Sequence, residues 1–125
     1  MPKTKFSILL FLLIYSFHAN ADGMAYLLNS TPNQRAESQT RFMKNKLGLS
    51  DEKVNEIQAI NLQFAEKAEP ILKGSSISFI KMNDMQNIQK QKDAALHHVL
   101  TEQQFQLYSN SKDELKDALK ADLTH

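Results

Sequence analysis

The sequence predicts an all-α fold in one small domain, and three observations carry that prediction. Apolar residues recur three and four positions apart through four successive segments, and nowhere do they alternate with period two over a useful length. The 125-residue chain holds only 3 Gly and 3 Pro, a helix-prone composition. Helix-capping signals stand where the periodic segments begin.

Taken in order, residues 1–21 read as a secretory signal. Lys3 and Lys5 precede a twelve-residue, mostly apolar run from Phe6 to Phe17, and Ala19-Asn20-Ala21 offers small residues for cleavage after Ala21. The run is well short of the roughly 20 residues that span a bilayer, so no stable membrane insertion is expected after cleavage and the chain is expected to be exported. Residues 22–32 show no convincing period and carry Gly23, Asn29, Ser30, Thr31 and Pro32, so a flexible N-terminal arm is expected. The helical domain is assigned to residues 33–125.

Its first helix, from about Asn33 to Leu47, places Ala36, Thr40, Met43 and Leu47 on one side and stops at Gly48. Ser50 caps the second, with Asp51 and Glu52 at the positive end of its dipole and Val54, Ile57, Ile60, Phe64, Ala68 and Ile71 facing inward. Pro70 lacks the amide donor and clashes with the preceding turn, so this helix is expected to kink or end near Glu69. Gly74-Ser75-Ser76 is the clearest break. A third helix, from about Ile77 to Val99, has an inner stripe of Ile77, Ile80, Met85, Ile88, Ala95, Leu96 and Val99. A fourth carries Phe105, Tyr108, Leu115, Leu119 and Leu123.

Charge and composition exclude several function classes. The chain has 15 basic and 14 acidic residues, and loss of Lys3 and Lys5 with the signal leaves 13 against 14. Near-neutrality argues against a nucleic-acid partner. Arg35, Arg41, Lys44 and Lys46 against Glu37 still make the first helix locally basic. No Cys is present, so neither a disulfide nor a cysteine nucleophile is available, and no Gly-rich phosphate loop or G-x-S-x-G elbow occurs. No enzymatic activity and no cofactor are expected. Asp93 and His97 have the four-residue spacing that could hold a divalent transition metal, with Glu102 nearby across the next corner. The plainer reading makes His97 and His98 solvent-facing residues at the negative end of their helix.

The stretch Val99-Leu100-Thr101-Glu102-Gln103-Gln104-Phe105 reads as a helix-to-helix corner. Thr101 can cap the fourth helix by accepting from a backbone amide three residues on, while Gln104 reaches back to the amide of Thr101. Leu100 and Phe105 flank this capping box as a hydrophobic staple that sets the angle between the helices. Leu100-Thr101-Glu102-Gln103-Gln104 matches the LTxxQ motif of the periplasmic Spy and CpxP proteins, and Leu49-Ser50-Asp51-Glu52-Lys53 stands where a first, degraded copy would be. From about residue 33 to 121 the sequence therefore resembles the Spy/CpxP family. The first copy departs from the motif in having Ser for Thr and Lys53 for Gln.

The resemblance implies a bent, four-helix, cradle-like domain of helical hairpins that pairs as an antiparallel homodimer. It also implies a function: Spy-like members are ATP-independent periplasmic chaperones that hold unfolded or misfolded envelope proteins on a partly apolar, partly basic surface. CpxP-like members instead restrain the periplasmic domain of an envelope-stress sensor kinase, and more distant relatives bind heavy metals. Independently of the family, Phe42, Leu62, Phe79, Met82 and Leu107 each fall roughly 100 to 160° from the centre of their own helix's inner stripe. They are candidates for a second apolar face, a client or dimer surface if they cluster and unremarkable scatter if they do not. Arg41, Lys44 and Lys46 beside Phe42 would give that face a basic edge. A client-holding chaperone is the first expectation, a kinase regulator and a metal-binding stress protein the alternatives.

Overall fold

The computed structural model describes residues 22–74 and 79–124. Among them are six helices and no strand: α1 (Asp22–Leu28), α2 (Pro32–Leu47), α3 (Asp51–Leu72), α4 (Phe79–Val99), α5 (Glu102–Asn110) and α6 (Lys112–Leu123). The all-α expectation holds. The signal-peptide reading of residues 1–21, and the start of the third predicted helix at Ile77, lie outside the described residues.

α2 and α3 form one hairpin and α3 and α4 a second, after which α5 and α6 fold back along α2. α2 is therefore covered on two sides, by α3 on one and by α6 on the other. One buried cluster ties the arrangement together: Met43 and Leu47 from α2, Ile57 from α3, Leu96 from α4, Tyr108 from α5, and Leu49 and Leu100 from the corners. Between α2 and α3 the buried amide of Asn61 donates to Thr40 Oγ1 at 3.0 Å, and Thr40 in turn donates to the Ala36 carbonyl at 2.8 Å. Such a buried polar bridge favours one register of the hairpin over its slips.

Capping chemistry sets the corners. Gly48 ends α2 in the left-handed region (φ 63°, ψ 46°), a conformation glycine adopts without steric cost. Its amide and that of Leu49 both donate to the Lys44 carbonyl. Ser50 then accepts from the Lys53 amide at 3.2 Å to open α3. At the second corner Thr101 Oγ1 accepts from the Gln104 amide and Gln104 Oε1 from the Thr101 amide, each at 3.1 Å, a reciprocal capping box. Leu49 and Leu100, each the residue before its cap, enter the same buried cluster, and their staple partners Val54 and Phe105 pack against it. Thr101→Ala should therefore lower stability by about 1 kcal/mol, read as a shift of the urea midpoint at constant slope. No measurable shift would mean the corner is held by the staple alone.

Three elements depart from the sequence expectation. Residues 22–32, expected as a flexible arm, include helix α1, whose Tyr26 is buried, and α2 begins at Pro32 rather than Asn33 because Thr31 and Gln34 form a second reciprocal capping box, at 3.1 and 2.9 Å. α3 continues through Pro70 to Leu72. Proline so close to the helix end costs one hydrogen bond, on a surface where Glu66 and Pro70 are both exposed to water. The single fourth helix is two, because the buried Ser111 leaves helical geometry (φ −108°, ψ 13°) and its amide turns back to the Tyr108 carbonyl at 3.1 Å.

Candidate functional site

The back of α2 presents Ser38, Arg41, Phe42 and Asn45 at helical spacing, and α6 faces it with Ala118, Ala121 and Asp122. Together they line an open groove of about 420 Å³, to which Phe42 and the two alanines contribute the apolar surface. Arg41 Nη1 donates across it to Asp122 Oδ2 at 2.7 Å. Farther along the same seam Lys46 Nζ donates to Glu114 Oε2 at 2.8 Å, whereas Lys44 pairs with Asp51, the first residue of α3, at 3.6 Å. All three cations of the expected basic edge thus hold a carboxylate of their own chain. Arg41 is 59 % exposed in its side chain, and pairs this wet contribute at most about 1 kcal/mol, so they can be exchanged for an incoming charge at little cost.

Of the five apolar candidates, Phe42 is the one that lines the groove, and it also packs against the core. Leu62 is half-buried on α3, Leu107 is exposed on α5, and the side chain of Phe79 lies outside the described residues. Met82 is only 8 % exposed, whereas Ile80, assigned to the inner stripe, is 72 % exposed. The reason lies in α4 itself. Its inward side runs through Met82, Gln89, Lys92, Asp93 and Leu96, about 100° round from the apolar stripe, because the polar members find partners there.

Those partners form a polar junction of four helices that apolar periodicity could not reveal. Lys92 from α4, 7 % exposed, donates to Gln39 Oε1 on α2. Asp93 accepts from the Tyr108 hydroxyl of α5 at 2.9 Å and from Lys112 Nζ at the start of α6 at 2.5 Å, with Gln89 at 3.4 Å. Lys112 also lies over the Tyr108 ring, 5.2 Å from its centroid. Burial pushes the Lys92 ammonium down to about 8, against which Asp93 acts to raise it and Lys112 to lower it further. Burial, and then the Asp93 carboxylate, push the Tyr108 hydroxyl well above the usual tyrosine value.

The same junction separates the candidate metal ligands. Asp93 turns inward and spends both carboxylate oxygens on Tyr108, Lys112 and Gln89, while His97 Nε2 and Glu102 Oε2 lie 2.8 Å apart on the surface. The His97 ring stacks on Phe105 with centroids 3.9 Å apart and planes 9° from parallel, so this pair braces the Thr101 corner. No group of three metal-ligating side chains occurs among the described residues.

Sequence reasoning missed α1 and its clamp. Buried Arg35 donates through Nη1 to the carbonyls of Leu27 (2.9 Å) and Ser30 (2.6 Å), and through Nη2 to Glu69 on α3. Lys73 Nζ donates to the Leu28 carbonyl at 2.7 Å. The readable signal was Thr31-Pro32-Asn33-Gln34, a capping box with proline at the first helical position, which marks a folded corner instead of a loose arm.

No helix among the described residues is long and apolar enough to cross a membrane. No curated protein and no solved structure matches the chain. The model of a family described as a domain of unknown function (DUF4890) matches residues 23–108, from α1 through both capped corners to Tyr108. By that match the chain belongs to the DUF4890 family.

Proposed function

We propose that this chain is an exported, ATP-independent, chaperone-like protein of the Spy/CpxP type, which holds unfolded or stress-damaged envelope proteins by transient contact. The observation that carries the reading is the α2–α6 groove, where apolar Phe42 and exposed Arg41 meet on one open surface. One aromatic ring and two alanines offer apolar contact without shape selectivity, and the exchangeable Arg41–Asp122 pair suits partners of varied charge. The capped corner at Thr101 supports the resemblance, since its capping box and staple form the bend that the motif implies. Residues 1–21 support export.

The test is suppression of aggregation of an unrelated urea-denatured protein by the purified protein, at stoichiometric amounts and without nucleotide. Suppression is expected. Arg41→Glu sits at an exposed position and should change stability by no more than about 0.5 kcal/mol. It should nevertheless weaken capture of acidic clients severalfold, and the difference should shrink as salt is raised. A folded sample that suppresses nothing would sink the proposal.

A further inference from the structure

The α2–α6 groove holds a polar group that its own chain leaves unanswered. Ser38 lines the groove and is 4 % exposed, yet its hydroxyl has no hydrogen-bond partner among the described residues. Thr40, two residues on, donates back to the Ala36 carbonyl, and Ser38 makes no such bond to its helix. Among the described residues Asn61 Oδ1 is the one side-chain oxygen or nitrogen both unpartnered and sealed from solvent. The Ser38 hydroxyl, unpartnered but not sealed, therefore opens on the groove it lines.

α2 and α6 run antiparallel along the groove, since Arg41 pairs with Asp122 while Lys46, farther along α2, pairs with Glu114, farther back on α6. Ser38 thus stands at the Asp122 end and Asn45 at the Ala118 end. The Asn45 side chain is exposed, and its amide likewise has no partner among the described residues. Two turns of helix separate the two groups, about 10 Å along the axis at 1.5 Å per residue. Phe42 and the Arg41–Asp122 pair lie between them. A serine hydroxyl and an asparagine amide can each both donate and accept, so either one can meet an N–H or a C=O.

We propose that the groove binds an extended peptide segment of mixed charge. Ser38 and Asn45 hydrogen-bond to its backbone, and the segment enters between Arg41 and Asp122 with an acidic side chain towards the first and a basic one towards the second. That the segment belongs to a client rests on the client-holding reading above, whereas its binding does not. An extended strand rises about 3.3 Å per residue, so about three residues span the distance from Ser38 to Asn45, and each brings an unpaired N–H and C=O. A helix pairs those groups internally and would leave the Ser38 hydroxyl unanswered. Charge is complementary in the same sense: the groove sets a cation on its α2 wall and an anion on its α6 wall, and a mixed-charge segment exchanges one exposed ion pair for two. An acidic segment would draw Arg41 away without offering Asp122 a cation in exchange. Hydrogen bonds to backbone read no sequence, which suits a surface that holds many partners.

Fluorescence anisotropy with the purified protein and a short labelled peptide of valine, aspartate and lysine tests this. Ser38→Ala and Asn45→Ala should each weaken binding severalfold. Ser38→Ala should nevertheless leave the urea midpoint unchanged or raise it, because the hydroxyl has no partner to lose within the folded chain. Methylating the peptide's backbone nitrogens should weaken binding severalfold, and so should exchanging its aspartate and lysine for asparagine and glutamine at low salt. A lowered midpoint with unchanged binding in Ser38→Ala would overturn the proposal, since the hydroxyl would then serve the fold. Equal binding of the methylated peptide, or of the same residues cross-linked into a helix, would overturn it as well. Aggregation suppression left whole by both substitutions would overturn it as the mode of client capture while leaving client holding intact. Peptide binding that Ser38→Ala weakens, in a protein that suppresses no aggregation, would instead overturn client holding and leave the peptide site standing.

Discussion

Asp93→Ala should destabilise the protein by about 3 kcal/mol, the lower part of the range for removing one partner of a buried ion pair. The carboxylate is the only anion among the side chains named in the four-helix junction, and it satisfies Tyr108 and Lys112 at once. Its removal leaves the Tyr108 hydroxyl without its acceptor and Lys112, 15 % exposed in its side chain, without its counterion. It also deprives buried Lys92 of the one charge that favours its protonated form. Chemical denaturation at pH 7 measures the loss. Asp93→Asn should recover part of it, because an amide oxygen can still accept from the tyrosine. If Asp93→Ala cost less than about 1 kcal/mol, the junction would be hydrated and its ion pair worth no more than a surface one.

The junction also explains which parts of the fold could be read in the sequence and which could not. Where a helix buries apolar residues the periodicity was legible: Met43 and Leu47 in α2, Ile57 and Phe64 in α3, and Leu96 in α4 all lie inside as their spacing predicts. The capped corner at Thr101 was legible as well, because N-capping is local chemistry that needs no tertiary partner. In α4 the spacing misled because Lys92 and Asp93 face inward, and a polar residue reveals an inward orientation only through partners on other helices. The extra break at Ser111 had a signal of its own, serine followed by Asp113 and Glu114 in a first turn, which the continuous apolar spacing from Tyr108 to Leu119 masked. Of the candidate groove, Phe42 was identifiable as an apolar residue off the core stripe and Arg41 as part of a basic edge beside it. Their counterparts Ala118, Ala121 and Asp122 were not, since nothing local says that α6 returns to the back of α2.

Lys92→Met should raise stability at pH 7 by about 2 kcal/mol and flatten its dependence on pH. The Lys92 ammonium is nearly out of water with a neutral amide oxygen as its acceptor, and its value in the folded protein is about 8 against the ordinary 10.5. Between those two values the unfolded chain binds more protons than the folded one, so stability rises with pH across that window. Below about 8 both states carry the charge, and its full cost opposes folding, roughly 3 kcal/mol at 1.36 kcal/mol per pH unit. Methionine fills a similar volume without the charge, and buried ions replaced by apolar groups commonly give 1–4 kcal/mol, which places the gain at about 2. The tyrosines confine the test. Burial pushes Tyr26 up to about 12 and Tyr108 higher than usual, so above pH 10 the unfolded chain loses phenolic protons that the folded one keeps, and stability falls for both proteins. Urea unfolding from pH 7 to 10 should therefore show the unmodified protein gaining stability above pH 8 while Lys92→Met stays level, the two converging near pH 10. Parallel curves would mean that Lys92 reaches water, in which case the α2–α4 contact through Gln39 is open in solution and α4 is held by α3 and α5 instead.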